Sequence, residues 1–167
     1  MSGNSLTMLH IKLRTKINAD ISIVFDLSRS IDLHKISTAH TNEEAIAGKT
    51  SGLIEFGETV TWKAKHFRIS QQLTSKITAF ERPHYFVDEM VSGAFESFRH
   101  QHIFESEDDA TNMYDIFEFK VPGGVLGSMI GQMILKPYLK TLLEKRNQMI
   151  KDFAESDQWR SVLQQLP

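Results

Sequence analysis

The longest periodic stretch of the sequence runs from Gly123 to Ser156, and it restricts the possible folds more than any other feature. Its apolar residues recur every three or four positions, the spacing that places side chains on one face of an α-helix. They form two successive sets: Leu126, Met129, Ile130, Met133 and Ile134, then Leu135, Leu139, Leu142, Met149, Ile150 and Phe153, with Arg146 as an interruption. A helix of this length spans roughly 45–50 Å and needs a broad apolar surface to pack on. Pro137 predicts a kink or a break within it.

The segments before this helix alternate apolar and polar residues, which is the period of half-buried β-strands. Alternation occurs at 6–17, 58–67, 69–79, 84–92, 94–105 and 111–121, and 43–47 is a further short candidate. After the first strand, Asp20 and Ser30 are placed to cap two short helices. We therefore expect an α+β protein with one strand, two helices, six strands and a long helix. The chain has no internal repeat or linker, so we expect one domain over residues 1–156 and a short tail over 157–167.

The composition excludes several functional classes. With 167 residues, 41% of them hydrophobic, the chain is long enough for one domain with a core. Its 19 basic and 21 acidic residues lack the positive excess that nucleic-acid binding favours. No apolar run is long enough to span a bilayer, and the N-terminus has no secretory pattern, so we expect a cytoplasmic protein. Without cysteine the chain has no disulfide, thiol nucleophile or thiolate zinc ligand.

Several motifs resemble one known superfamily. Residues 52–62 form a glycine-flanked loop and strand, Arg82-Pro83 precedes Phe-Val-Asp-Glu at 86–89, and His-Gln-His-Ile-Phe-Glu occupies 100–105. Pro-Gly-Gly at 122–124 precedes the long helix. Together with the order of elements, these motifs resemble the START and Bet v 1-like superfamily (SRPBCC), which includes polyketide cyclase-like proteins. Within it they are most similar to a bacterial branch labelled cell-division-inhibitor-like, whose function is uncharacterised.

The resemblance covers about residues 6–155. It implies the helix-grip fold, in which a curved, seven-stranded antiparallel sheet wraps around a long C-terminal helix. It also implies an apolar ligand in the space between them. Physical reasoning agrees, because a straight helix touches a strongly curved sheet only along limited lines. The remaining volume must hold large side chains or a ligand.

His100 and His102 are the sharpest candidates for chemistry. Two residues apart on a strand, they point to one face, and the phenylalanines on either side favour the inner face. Asp88 and Asp115 lie on neighbouring predicted strands. The imidazoles either bind the polar group of a ligand, act with one of these carboxylates as an acid–base pair, or serve as structural hydrogen-bonding groups. A metal site would need a third ligand that spacing does not identify, and we expect neither a metal nor a cofactor.

Other side chains complete the predicted ligand site. They are Trp62, His66, Phe86, Met90, Phe98, Met129 and Met133. Leu53, Ile54 and Phe56 lie between two glycines, and they either pack onto the core or form a lid over the cavity. Arg146 either pairs with a carboxylate or reaches water, or it acts as a counter-ion for an acidic ligand.

The favoured function is binding or transport of a small apolar or amphipathic molecule in the cavity, aided by weak contact with a membrane surface. The alternative is a cyclase- or dehydratase-like enzyme that uses a His–Asp pair in the same cavity. A third hypothesis is an interaction module whose groove takes a partner protein. The sequence does not choose between binding and catalysis, and it leaves the ligand and the oligomeric state open.

Overall fold

The computed structural model describes residues 8–164, apart from the side chain of His66. The strands are β1 (Met8–Ile17), β2 (Glu44–Gly48), β3 (Thr59–His66), β4 (Ile69–Glu81), β5 (Tyr85–Ser92), β6 (Ser97–Glu107) and β7 (Ala110–Lys120). The helices are α1 (Ile21–Ser28), α2 (Ile31–Ser37), α3 (Gly124–Ile130), α4 (Lys136–Ala154) and α5 (Trp159–Leu163). A 3-10 turn (Ala39–Thr41) follows α2, and a π-helical turn (Gly131–Leu135) joins α3 to α4.

The seven strands form one antiparallel sheet in the order β1-β7-β6-β5-β4-β3-β2. Consecutive strands from β2 to β7 pair as a meander, and β1 pairs along its whole length with β7. Register shifts between β2 and β3 and between β4 and β5 bend the sheet, as β-bulges do. The predicted α+β helix-grip fold is therefore confirmed, including its order of elements.

The two predicted helix caps are present. The side chain of Asp20 accepts a hydrogen bond of 2.8 Å from the backbone N–H of Ser22 at the start of α1. Ser30 does the same for Leu33 at 3.2 Å and begins α2. Because each cap satisfies a backbone donor that the helix itself leaves unpaired, these local signals fix where the helices begin.

The core consists of two groups of buried side chains. In the first, Phe25 of α1 is fully buried and meets three sheet residues edge to face. Its ring centroid is 5.4 Å from that of Phe80, 5.5 Å from that of Phe86 and 5.2 Å from that of Phe104. The second group lies toward β1 and β7 and contains Leu9, Ile11, Phe98, Phe117 and Phe119. The helix α4 contributes to both groups.

The first half of the predicted long helix is oriented differently from the prediction. The apolar stripe was expected to face the sheet, but its residues are between 46% and 74% exposed: Leu126, Met129, Ile130, Met133 and Ile134. The buried positions are Gly127 and Gly131. A Cβ atom at Gly127 would lie 2.1 Å from the backbone oxygen of Pro122, and one at Gly131 would lie 2.7 Å from Leu9. Gly127 therefore packs on the connection that precedes the helix, Gly131 packs on Leu9 of β1, and the larger side chains point away.

The predicted break at Pro137 takes the form of the π-helical turn that precedes α4. Pro137 has no N–H and cannot bond the carbonyl of Met133 one turn earlier, so regular α-helical bonding is interrupted there. At the other end of the chain, α5 folds back, and Trp159, Val162 and Leu163 pack against the first core group. Among residues 8–164, no helix combines the length and the apolar character needed to cross a bilayer.

Candidate functional site

Two adjacent cavities lie between the sheet and α4. The larger has a volume of about 220 Å³ and walls that are mostly apolar, including Phe95, Phe98, Phe117, Leu135, Leu139 and Leu142. The smaller has a volume of about 120 Å³ and extends toward α1 and α2. The residues that line both are His34, Trp62, Ser75, Asp88, His100, Leu143 and Arg146. Most of the side chains in the wall that the two cavities share are therefore polar.

Strand register brings the polar groups together. His100 and His102 point inward from β6 and are 6% and 3% exposed. Asp88 on β5 is the register partner of His100, and Asp115 on β7 is the register partner of His102. Directly opposite residues on antiparallel strands project from the same face, so the two carboxylates meet the two imidazoles.

Asp115 is the centre of the polar cluster and is fully buried. Its Oδ1 lies 2.8 Å from Nε2 of His100 and 3.1 Å from Nδ1 of His102. Its Oδ2 accepts a hydrogen bond of 2.6 Å from the amide of Asn147 on α4. The guanidinium of Arg146 lies 3.5 Å from Oδ1, so the buried carboxylate is surrounded by donors and by positive charge.

Asp88 is placed differently. Its Oδ1 lies 3.8 Å from Nδ1 of His100 and 3.5 Å from Nε2 of His102, both too far for a hydrogen bond. Among the described residues this buried oxygen has no hydrogen-bond partner. The ring of Phe86 stacks on the imidazole of His102, and the two ring centroids are 4.1 Å apart.

Burial and neighbouring groups shift the protonation of the cluster. Burial works to raise the pKa of Asp115, but the contacts with His100 and His102 outweigh it and hold the pKa well below its ordinary value. The pKa of Asp88 is also lowered, since the two imidazoles and Arg146 outweigh the effect of burial. Burial, followed by repulsion from His102, lowers the pKa of His100. Both carboxyls are therefore ionised at neutral pH, and His100 is neutral.

Arg146 is buried rather than extended into water. Its guanidinium donates a hydrogen bond of 2.8 Å to the backbone carbonyl of Ser28 and lies beside Asp115. Of the two interpretations offered by the sequence, this geometry matches the one in which Arg146 pairs with a carboxylate. Arg146 also lines both cavities, so it borders the contents of either one.

The structure places only part of the predicted ligand site at the cavities. Trp62 lines both, Phe98 lines the larger, and Phe86 and His102 line the smaller. Met90 lines neither cavity and packs against the second core group. Met129 and Met133 are 56% and 74% exposed on the outer face of the helix, because the glycine face occupies the side toward the sheet. The predicted contact of His66 with the ligand concerns a side chain outside the described part of the structure.

The loop proposed as a lid is bound to the helices. Ile54 is 5% exposed and lines the smaller cavity, whereas Phe56 is 66% exposed. The backbone N–H of Ile54 donates to the carbonyl of Arg29 at 3.2 Å, and Leu53 forms a β-bridge with Ser30. These contacts agree with the interpretation in which the loop packs onto the core. Movement of the loop as a lid stays a prediction.

Several lining residues were not identified from the sequence. Phe117 and Leu139 belong to the predicted apolar faces and Leu143 does not, and periodicity does not separate cavity walls from packed core. His34 lines both cavities, with its ring 4.2 Å from that of Trp62. Asn147 had one sequence signal: with Arg146 it forms a polar pair beside the apolar stripe of α4.

No family model matches the sequence, and no curated protein matches it. Solved structures share the fold at low identity. The protein TTHA0849 from Thermus thermophilus is 12% identical, with a TM-score of 0.66 over 85% of this chain and 97% of that one. Ginseng major latex-like protein 151 from Panax ginseng is 12% identical, with a TM-score of 0.64 over 90% and 99%. Ara h 8.0201 is 12% identical, with a TM-score of 0.60 over 86% and 97%. These likenesses support the Bet v 1-like fold, and the cell-division-inhibitor-like branch stays a prediction.

Proposed function

We propose that this protein binds a small amphipathic molecule in the larger cavity. The observation that carries the proposal is a volume of about 220 Å³ with mostly apolar walls and a polar group that includes Asp88, His100 and Arg146. Binding sites for small molecules commonly combine apolar walls with a few convergent polar groups. This volume lies below the roughly 300–1,000 Å³ of drug-sized sites, so the ligand is a small one.

The apolar and the polar lining residues of the cavity favour different parts of such a ligand. The side chains of Phe95, Phe98 and Leu139 would contact an apolar body. At the shared wall, Arg146 and the neutral imidazole of His100 offer hydrogen bonds to a hydroxyl, carbonyl or anionic group. A wholly apolar ligand would exclude solvent from these groups without satisfying their remaining hydrogen-bonding capacity, which costs free energy.

Two experiments test the proposal: identification of a co-purifying ligand, and a substitution that blocks the cavity. Mass spectrometry of the native protein would identify a co-purifying molecule, and 1-anilinonaphthalene-8-sulfonate would report binding to the cavity by its fluorescence. Leu139→Trp fills the larger cavity and should abolish probe binding, whereas Ile36→Trp at an exposed position of α2 should not. Equal binding by both variants would contradict the proposal. Failure of the unmodified protein to bind any probe would instead favour the protein-interaction module.

We also propose weak contact with a membrane surface through α3 and the turn after it. Leu126 and Met133 belong to the exposed apolar face of this segment, and Lys136 and Lys140 follow directly. An apolar face beside basic residues suits an interface with anionic lipids. Leu135, in the same turn, lines the larger cavity, so such contact would bring the lipid surface close to the ligand.

Sedimentation with vesicles of phosphatidylcholine and phosphatidylserine tests this contact. Met133→Glu should reduce the bound fraction, because it places a charge in the apolar face and repels anionic lipid. Ile36→Glu adds the same charge to the exposed part of α2 and should leave binding unchanged. The membrane proposal fails if the two variants sediment alike.

Acid–base catalysis in the same cavity is the second candidate function. The observation that favours it is the 2.8 Å contact of His100 with Asp115, a geometry in which a carboxylate orients an imidazole. Once a ligand is identified, its conversion can be followed by mass spectrometry. An enzyme should lose turnover by about 100-fold or more in His100→Gln, whereas a carrier should show no turnover in either form.

A further inference from the structure

Three ligand atoms converge at the wall between the two cavities. Oδ1 of Asp88, a ring nitrogen of His100 and a ring nitrogen of His102 all lie within 4.8 Å of one another. The oxygen is 3.8 Å from Nδ1 of His100 and 3.5 Å from Nε2 of His102. Ligand atoms at 2.0–2.2 Å from a tetrahedral ion are about 3.4 Å apart, so small side-chain movements would give a coordination shell.

The neighbouring carboxylate determines which nitrogens are available. Asp115 contacts Nε2 of His100 at 2.8 Å, and this contact favours a proton on Nε2 and a lone pair on Nδ1. Oδ1 of Asp115 also lies 3.1 Å from Nδ1 of His102, and although that nitrogen forms no hydrogen bond among the described residues, the nearby carboxylate favours a proton on it. The lone pairs that remain, on Nδ1 of His100 and Nε2 of His102, are the two that face Asp88. A carboxylate behind a ligating imidazole is the usual outer-shell arrangement of protein metal sites.

The same tautomers leave the Asp88 oxygen in an unfavourable position. It is buried and has no hydrogen-bond partner among the described residues, and without a proton or a cation between the groups it would face two nitrogen lone pairs. A buried acceptor of this kind costs free energy unless a cation or a proton lies between the groups. The position therefore calls for positive charge at the point where the three atoms converge.

We infer that Asp88, His100 and His102 form a binding site for one divalent transition-metal ion, with Zn²⁺ as the best match. Two imidazoles and one carboxylate suit Zn²⁺, which tolerates distorted geometry, and three protein ligands leave a fourth position open. All three ligands line the smaller cavity, and Asp88 and His100 also line the larger one, so the open position lies at the wall that the two cavities share.

The charges of the cluster agree with a divalent ion. The formal charges of the two carboxylates and Arg146 sum to −1, and a divalent ion changes that sum to +1. An anionic oxygen at the open position would neutralise the site. This last consequence rests on the proposed ligand binding, whereas metal binding itself does not depend on it.

The test is a titration of chelator-treated protein with Co²⁺, which reports its coordination by visible absorption, followed by displacement with Zn²⁺. One equivalent of Co²⁺ should bind and give the band of a four- or five-coordinate ion. Asp88→Asn and His102→Gln remove ligands and should weaken affinity by more than about 100-fold. Asp115→Asn, which only positions the imidazoles, should weaken it by about 10–100-fold.

His84→Gln serves as the matched control, because His84 is exposed and lies on neither cavity wall. It should bind Co²⁺ like the unmodified protein. Circular dichroism shows which variants remain folded, and Asp88→Asn is the one expected to keep its fold, since its oxygen has no hydrogen bond to lose. Absence of Co²⁺ binding, or binding unaffected in Asp88→Asn, would overturn the inference. Probe binding with chelator present still reports the ligand cavity, so the two proposals can fail separately.

Discussion

Replacement of Asp115 by alanine should be among the most destabilising single changes in this protein. The carboxylate is fully buried and receives contacts from His100, Asn147 and Arg146. Its removal leaves the Arg146 guanidinium, itself only 8% exposed, without its carboxylate partner. Breaking a buried ion pair from one side costs about 3–5 kcal/mol. For a chain of this length each kcal/mol lowers Tm by about 2–4 °C, so Tm should fall by roughly 6–20 °C.

Urea denaturation in the presence of a chelator gives the free energy of unfolding without any contribution from metal. Asp109→Ala, on the exposed turn before β7, is the control and should change stability by less than about 0.5 kcal/mol. The double variant Asp115→Ala/Arg146→Met removes both charges. It should be more stable than the sum of the single losses predicts, by about 0.5 kcal/mol or more. Additive losses would refute the argument that Asp115 and Arg146 form a buried pair.

Three further predictions concern other parts of the fold. Hydrogen bonds and charge from Arg82 and Arg29 outweigh burial and lower the pKa of Asp26 below 3.8, so its stabilising contribution is present above about pH 4 and lost as the pH falls further. Asp26→Asn should therefore be less stable than the unmodified protein at pH 7, with the difference disappearing in acid denaturation profiles. Phe25→Ala removes the ring at the centre of the aromatic core and should cost about 3–5 kcal/mol in urea denaturation. Gly127→Ala places a Cβ against backbone and should lower Tm measured by circular dichroism, although alanine is the better helix former.

Each of these predictions has its own control. For Asp26, a pH-independent difference between the two proteins would contradict the linkage argument. Val125→Ala, at a residue 77% exposed in the same helix, should be nearly neutral beside Gly127→Ala. For Phe25, Phe56→Ala removes an exposed ring and should cost much less. Equal losses in the Phe25 and Phe56 variants would contradict the burial argument, and equal effects of Gly127→Ala and Val125→Ala would contradict the steric argument.

Local patterns in the sequence were enough to predict the fold class and the order of elements. Strand alternation, the caps at Asp20 and Ser30 and the three- to four-residue period of the long helix depend on neighbours within one or two turns. The inward direction of His100 and His102 followed in the same way, because side-chain alternation and the flanking phenylalanines select one face.

The orientation of α3 was not accessible to this reasoning. Its apolar residues predicted the buried face, but close approach to Pro122 and Leu9 requires Gly127 and Gly131 there. Steric fit of the helix against the connection before it and against the distant strand β1 decided the orientation, and hydrophobic periodicity has no information about that fit. Met129 and Met133 consequently lie outside the cavities.

The sequence by itself determined that this chain forms a curved sheet with a long C-terminal helix and two imidazoles on the inner face, because those features follow from short-range periodicity. Only the tertiary structure decided which groups the imidazoles meet. Strand register places Asp88 and Asp115 on either side of β6, and the docking of α4 adds Arg146 and Asn147. Asp115 is 15 positions from His100 and 32 positions from Asn147, and contacts over such separations are set by pairing and packing of the whole sheet rather than by any local stretch.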